Sequence, residues 1–156
     1  MELYLIRHAE AAPEAATDMA RELTDRGREQ ARRLAAAFQR LGVRFDAVVT
    51  SPYIRAMQTT EEMLAHWPGP KPEFHTFDEI GFEDRPKKIV KYLRKLAKPA
   101  VAIVGHQPGL TRFAAWLIGS KKARLDLDKA GIARIRFEAP GKGKGVLEWL
   151  IAPDWL

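Results

Sequence analysis

The sequence predicts an α/β fold whose sheet contains parallel strand pairs. Three observations lead to it. Short apolar runs stop abruptly on polar residues, as buried strands do at the edge of a sheet. Stretches of helical period separate those runs. The junctions also repeat one chemistry, placing Arg7, His8, Arg55 and His106 at or just beyond strand ends.

The first run, Leu3-Tyr4-Leu5-Ile6, leads directly into Arg7-His8. A buried strand ending there delivers both bases at its carboxyl end, where ligands bind in open α/β sheets. Arg7 is therefore a candidate phosphate clamp and His8 a candidate nucleophile. The segment from Ala9 to Glu22 is rich in alanine, carries scattered acids and Pro13, and has no firm period. It exceeds the ~4–6 residues usual for connections in compact domains, which marks a candidate lid or binding loop. Arg21, near its end, is within reach of an anion, although an ordinary surface arginine is the simpler reading.

Leu23-Thr24 reads as a staple residue and N-cap. Ala31, Leu34, Ala35, Phe38 and Leu41 then recur at helical spacing, with Gly42 as the stop. Phe45 to Thr50 is the second strand. Ser51 is the expected N-cap of the next helix and Pro52 its first residue. That puts Arg55 in the first turn, beside free backbone N–H groups suited to an anion. This helix stops before Trp67-Pro68-Gly69-Pro70. Glu73 to Phe77 is a short strand, and Asp78-Glu79 follows where a loop would return over the site.

Pro86 opens a helix with Ile89, Val90, Leu93 and Leu96 on its apolar stripe. Its opposite side, from Lys87 to Lys98, is read first as solvated. A docking face on this basic segment, 86–98, for an acidic partner is the second reading. Pro99 to Val104 is the clearest buried strand and runs into Gly105-His106-Gln107-Pro108-Gly109, then a helix with Leu110, Phe113, Ala114 and Leu117. Ile132, Ile135 and Phe137 mark another strand, as does Val146 to Ile151. The Gly-Lys segment between them, from Pro140 to Gly145, reads as a hairpin loop. It lacks the spacing of a Walker loop and a following helix.

Bulk composition narrows the function classes. The 156 residues suit one domain, 1–156, and 46% hydrophobic residues can fill its core. The absence of cysteine excludes disulfides, thiol catalysis and thiolate metal sites. A formal charge of +6 favours an anionic partner. No zinc-finger spacing, basic region with heptads or RRM-type motif supports nucleic acid. No signal peptide or membrane-length apolar run is evident, so a cytoplasmic protein away from the membrane is expected.

In a sheet with parallel pairs, the junctions carrying Arg7, His8, Arg55 and His106 fall along one edge. Two histidines, two arginines and two helix amino ends would converge on a site for a phosphoryl dianion, which the planar arginine fork grips by two oxygens at once. A zinc site competes as a reading, but HExxH and a convincing third ligand are missing and cationic neighbours oppose it. His66 and His75 lack the strand-end context and are read as structural.

Four blocks carry a resemblance: Leu5-Ile6-Arg7-His8-Ala9-Glu10, Leu23-Thr24-x-x-Gly27-x-x-Gln30-Ala31, Ser51-Pro52-x-x-Arg55-Ala56-x-Gln58-Thr59 and Val104-Gly105-His106-Gln107-Pro108. In this order the chain resembles the histidine phosphatase (phosphoglycerate mutase-like) superfamily. With its small size and no inserted cap domain, it looks most like the SixA-type phosphohistidine phosphatases. The resemblance implies a three-layer α/β/α sandwich around a mostly parallel mixed sheet of about six strands. It implies that His8 is the nucleophile and becomes phosphorylated, while Arg7, Arg55 and His106 hold the phosphoryl oxygens. Arg21 matches an arginine that folds over the phosphate. No metal or organic cofactor is implied, and a histidine-phosphotransfer protein domain is the implied partner.

Larger members carry a glutamate that protonates an alcohol leaving group. Here Glu79 and Glu10 are the candidates for that general acid, and neither sits in the full motif. An imidazole leaves more readily than an alkoxide, so the departure points to phosphohistidine or another phosphoramidate. A phosphatase for small phosphate esters and a non-catalytic phosphate-binding module are the alternatives, and a mutase the weakest.

Overall fold

The structure is a computed structural model and describes residues 1–81 and 85–155. Strand β1 (Glu2–Arg7) is followed by α1 (Asp25–Arg40), β2 (Ala47–Thr50), α2 (Ile54–Ala65), β3 (Glu73–Thr76) and α3 (Pro86–Leu96). Then come β4 (Ala100–Gly105), α4 (Gly109–Leu117), β5 (Ile132–Arg136) and β6 (Val146–Ile151). The six strands lie in the order β3-β2-β4-β1-β5-β6. The first four are mutually parallel, and β5 and β6 each run antiparallel to the preceding neighbour. The expected mixed, mostly parallel sheet is therefore present.

Side chains alternate across a strand, so each central strand feeds two cores. Tyr4, Ile6, Val48, Ala102 and Val104 pack with Leu34 and Phe38 of α1 and Met63 and Leu64 of α2. Leu3, Leu5, Val49, Val101 and Ile103 pack with Ile89, Val90 and Leu93 of α3 and with Leu110, Phe113 and Leu117 of α4. Helices on both faces give the three layers. Tyr4, Phe38, Phe45 and Trp67 form an aromatic cluster on the first face, Phe38 meeting Phe45 at 4.7 Å between ring centroids. Each such fully buried ring contributes about 1.5–3 kcal/mol from apolar burial.

The register sets the height of the functional edge. Arg7 pairs with Gly105 and Thr50 with Val104. The next residues therefore emerge together. His8 N–H donates to Gly105 O at 3.0 Å and Ser51 N–H to Val104 O at 3.0 Å.

Two helix starts bear on the site. Thr24 caps α1, its hydroxyl accepting the Gly27 N–H at 3.0 Å, as the sequence predicts. A side chain at Gly27 would place its Cβ 1.9 Å from Glu10 O, so glycine lets α1 lie against the backbone just beyond His8. The start of α2 differs from expectation. It begins at Ile54 with Tyr53 as the cap residue and no side-chain cap bond. Ser51 instead accepts the Tyr53 N–H at 3.3 Å from outside the helix, and Arg55 still falls in the first turn.

Candidate active site

His8 leaves β1 at 7% exposure, and both ring nitrogens are engaged. Nδ1 lies 2.7 Å from Ala9 O. A carbonyl oxygen only accepts, so Nδ1 carries the proton. Arg55 Nε donates to His8 Nε2 at 3.2 Å, and an arginine only donates, so Nε2 presents its lone pair. The two bonds select the same tautomer independently. The ring is neutral with the lone pair of Nε2 directed at a guanidinium.

Electrostatics agree with that assignment. Burial lowers the His8 pKa to about 4, with the Arg55, Arg7 and Arg21 charges acting in the same direction. The bond to Ala9 O opposes them. His106, at 1% exposure, is lowered to about 3, first by burial, then by the cost of a second charge beside the His8 ring, and by the Arg55 charge. Both imidazoles are uncharged at neutral pH, and the fixed positive charge comes from the arginines.

His8, Arg55 and His106 come together, and the Arg7 charge also acts on His8. The His8 and His106 rings lie 5.1 Å apart between centroids. His106 Nε2 is 2.7 Å from Ser51 Oγ, and the Tyr53 ring stands edge-on to His106 at 5.0 Å. The Arg55 guanidinium carbon is 5.1 Å from the same Tyr53 ring centre, so Tyr53 supports both groups. Arg7 is anchored by Nη1 donating to Leu127 O at 2.9 Å. The amino ends of α2 and α4 follow Ser51 and His106 directly, adding their positive dipole ends.

Other motif side chains hold the backbone around His8. Thr59 Oγ1 accepts the Ala9 N–H at 3.0 Å and donates to Arg55 O at 2.6 Å. Gln30 accepts from Glu10 N at 2.9 Å, and Gln58 from Leu23 N at 2.8 Å. They tie α1 and α2 to the segment that follows His8.

The other candidates are placed more loosely. Arg21 donates from Nε to Ala12 O at 2.6 Å and from Nη1 to Asp18 Oδ1 at 2.9 Å, and its charge acts on both His8 and His106. Glu79 lines a cavity of about 200 Å³ together with His106, but its carboxylate is held by Lys88 Nζ at 2.6 Å and Arg85 Nε at 3.3 Å. Glu10 accepts from Thr24 Oγ1 at 2.8 Å and faces Arg26 at 3.7 Å. Sequence reasoning missed the carboxylate that does meet the site. Asp18 Oδ2 lies 3.2 Å from Arg55 Nη2. His66 caps the end of α2, Nδ1 lying 3.0 Å from Glu62 O, and His75 pairs with Glu73 at 3.2 Å on the edge strand. Among the described residues, no three His, Asp or Glu side chains group as a metal site requires, and no helix is long and apolar enough to cross a membrane.

Such a site can seat a phosphoryl group between cations and expose it to a neutral imidazole nitrogen. Comparison with known proteins finds the same arrangement of chain. A family model described as the histidine phosphatase superfamily (branch 1) matches residues 3–85. An uncharacterized protein of Picosynechococcus sp. is 35% identical, covering 100% of this chain and 99% of its own length. The phosphohistidine phosphatase SixA of Escherichia coli K12 is 27% identical over 98% of this chain and 94% of its own. A solved structure of the protein histidine phosphatase SixA complexed with tungstate superposes with a TM-score of 0.88 at 25% identity, covering 99% and 98% of the two chains. The chain thus belongs to branch 1 of the histidine phosphatase superfamily, as a SixA-type phosphatase.

Proposed function

We propose that the protein is a phosphohistidine phosphatase working through a phosphohistidine intermediate on His8. The observation that carries this reading is the pair of bonds on one imidazole: Nδ1–H to Ala9 O and Arg55 Nε–H to Nε2. They fix a neutral ring with its lone pair towards the cations.

Arg7, Arg55 and His106 hold the phosphoryl oxygens and Arg21 closes over them. His8 Nε2 attacks phosphorus in line and forms the N–P bond as the bond to the leaving nitrogen breaks. The departing imidazole keeps that electron pair and takes a proton from solvent water. Water then attacks phospho-His8, inorganic phosphate leaves and the lone pair returns to Nε2. Charge builds on the phosphoryl oxygens in the transition state, where buried guanidinium groups act most strongly. No metal is needed for these steps. An imidazole is also a good leaving group, so the salt-bridged state of Glu79 does not impede the reaction. A histidine-phosphotransfer domain is the proposed partner, since the phosphorylated ring must be presented to the His8 edge from another surface.

Phosphate-ester hydrolysis is the second reading, favoured by one observation: Glu79 shares a cavity with His106. A substrate panel separates the two. Phosphohistidine protein and phosphoramidate are expected to be turned over at least about a hundredfold faster in kcat/KM than sugar phosphates or nucleotides, about 3 kcal/mol in barrier. Faster ester turnover, lost in Glu79→Gln, selects the ester reading.

A further inference from the structure

Arg55 is 2% exposed, yet a carboxylate from an exposed loop reaches it. Arg55 Nη1 donates to Asp18 O at 2.7 Å and Nη2 to Asp18 Oδ2 at 3.2 Å. Its Nε–H serves His8. The outer edge of the guanidinium, the edge that grips two oxygens of a phosphoryl group, is thus met by two oxygens of Asp18. The same carboxylate accepts from Arg21 Nη1 through Oδ1 at 2.9 Å. Asp18 is an anion seated between two cations of the site. Bonding to Arg21 holds its carboxyl below the usual range, burial opposes this and the bond to Arg55 adds to it, so it is ionised at neutral pH.

The loop carrying Asp18 has little else to hold it in place. Residues 13–19 are exposed, and the short 3-10 helix Asp18–Ala20 buries no residue. At the base of the loop, Ala12 N–H donates to Glu22 O at 2.8 Å, Ala11 bridges to Leu23 and Arg21 Nε donates to Ala12 O. Beyond that base, the bonds to Arg55 tie Asp18 to the body of the protein. The Asp18 side chain is 54% exposed, and an ion pair open to water on one side is readily exchanged.

We infer that Asp18 is an internal competitor for the phosphoryl site: its main-chain carbonyl and one carboxylate oxygen together occupy the Arg55 fork in the unliganded protein and give way to the phosphoryl group. The inference rests on the reading that Arg55 takes phosphoryl oxygens. Two anions cannot share the same N–H donors at contact distance, so one must leave. A dianion with three acceptor oxygens displaces a monoanion, and the released carboxylate turns to water. Displacement also frees Arg21 Nη1, while Arg21 Nε stays on Ala12 O, so the second guanidinium becomes available to the incoming group. In the reverse direction, the returning carboxylate helps expel inorganic phosphate. Asp18 therefore sets the affinity for phosphoryl ligands.

Apparent affinity falls in proportion to the fraction of molecules whose fork is open. For a half-exposed pair the effect is about two- to fivefold. The test titrates inorganic phosphate calorimetrically into the wild-type chain, Asp18→Asn and Arg55→Ala. Amide exchange of residues 13–19 is followed with and without phosphate. Tighter phosphate binding in Asp18→Asn by that factor, with faster loop exchange on adding phosphate to the wild type, is the expected result. Unchanged or weaker binding in Asp18→Asn overturns the inference while leaving Arg55 as the phosphate ligand, provided Arg55→Ala binds less. Equal binding by Arg55→Ala and wild type overturns the reading of Arg55 itself, and the competitor with it.

Discussion

Arg55 and Arg33 are both helical arginines, but their side chains are 2% and 76% exposed. Arg33 lies on α1 and pairs with Glu29 one turn away at 3.1 Å, in water. Arg55 lies in the first turn of α2 and directs Nε at a neutral imidazole at 3.2 Å. The exposed faces are crossed by such neutralising pairs, among them Arg28 with Glu62, Lys88 with Glu79 and Lys98 with Glu73. The site instead collects cations around two uncharged histidines, with one carboxylate, that of Asp18 on an exposed loop, between Arg55 and Arg21. A positive charge count of 26 Lys and Arg residues does not separate the two populations. Position at a strand's carboxyl end does, because there burial makes each charge count for more.

The largest break in this contrast is expected at Arg55. Arg55→Ala should lower kcat/KM by about 10²–10³-fold, the usual cost of removing one transition-state donor. Arg55→Lys should recover only part of it, because an ammonium cannot bond His8 and the phosphoryl oxygens through one planar fork. Steady-state kinetics on phosphoramidate read both effects, and a lysine variant at wild-type activity would show that charge alone suffices.

A smaller effect concerns stability. The site histidines titrate at about 4 and about 3 in the folded chain, against 6.5 for a free imidazole. As pH falls below 6.5 the unfolded chain takes up protons first, so stability is full above that pH and declines through the window towards 4 for His8 and 3 for His106. The loss by the bottom of the window is a few kcal/mol, on the order of 1.4 kcal/mol per unit of pKa difference. Urea unfolding across this window should show His8→Asn losing less than the wild type. Parallel curves would mean that His8 is not held neutral by the fold.

The smallest effect belongs to the exposed population. Arg33→Ala should cost about 0.3–0.5 kcal/mol in urea unfolding and leave kcat unchanged. A tenfold loss of activity there would erase the distinction between the two arginine classes.

The sequence made Arg7, His8, Arg55 and His106 legible for a physical reason. Each follows an apolar run, and parallel register puts such ends side by side, as the Arg7–Gly105 and Thr50–Val104 pairings show. The role of Ser51 was misread because Ser-Pro is an ideal helix start. The chain instead uses that hydroxyl on the Tyr53 N–H and beside His106, and α2 begins at Ile54. Asp18 was invisible. It sits in a segment without period, far from Arg55 along the chain, and no local pattern encodes where an exposed loop folds back. Glu79 and Glu10 were nominated by chain order alone, and lysine, arginine and threonine side chains hold both carboxylates. Gln30, Gln58 and Thr59 stood out as motif letters, but their task of tying helices to the backbone beyond His8 needed coordinates.

The central claim is that the neutral imidazole of His8 accepts the phosphoryl group. Rapid quenching of the enzyme with labelled phosphoramidate, followed by acid and alkali treatment and site mapping, tests it directly. One acid-labile, alkali-stable phosphoryl group on His8, absent from His8→Ala along with turnover, is the predicted result. Turnover by the wild type through an enzyme never labelled at His8, or undiminished turnover by His8→Ala, would contradict it.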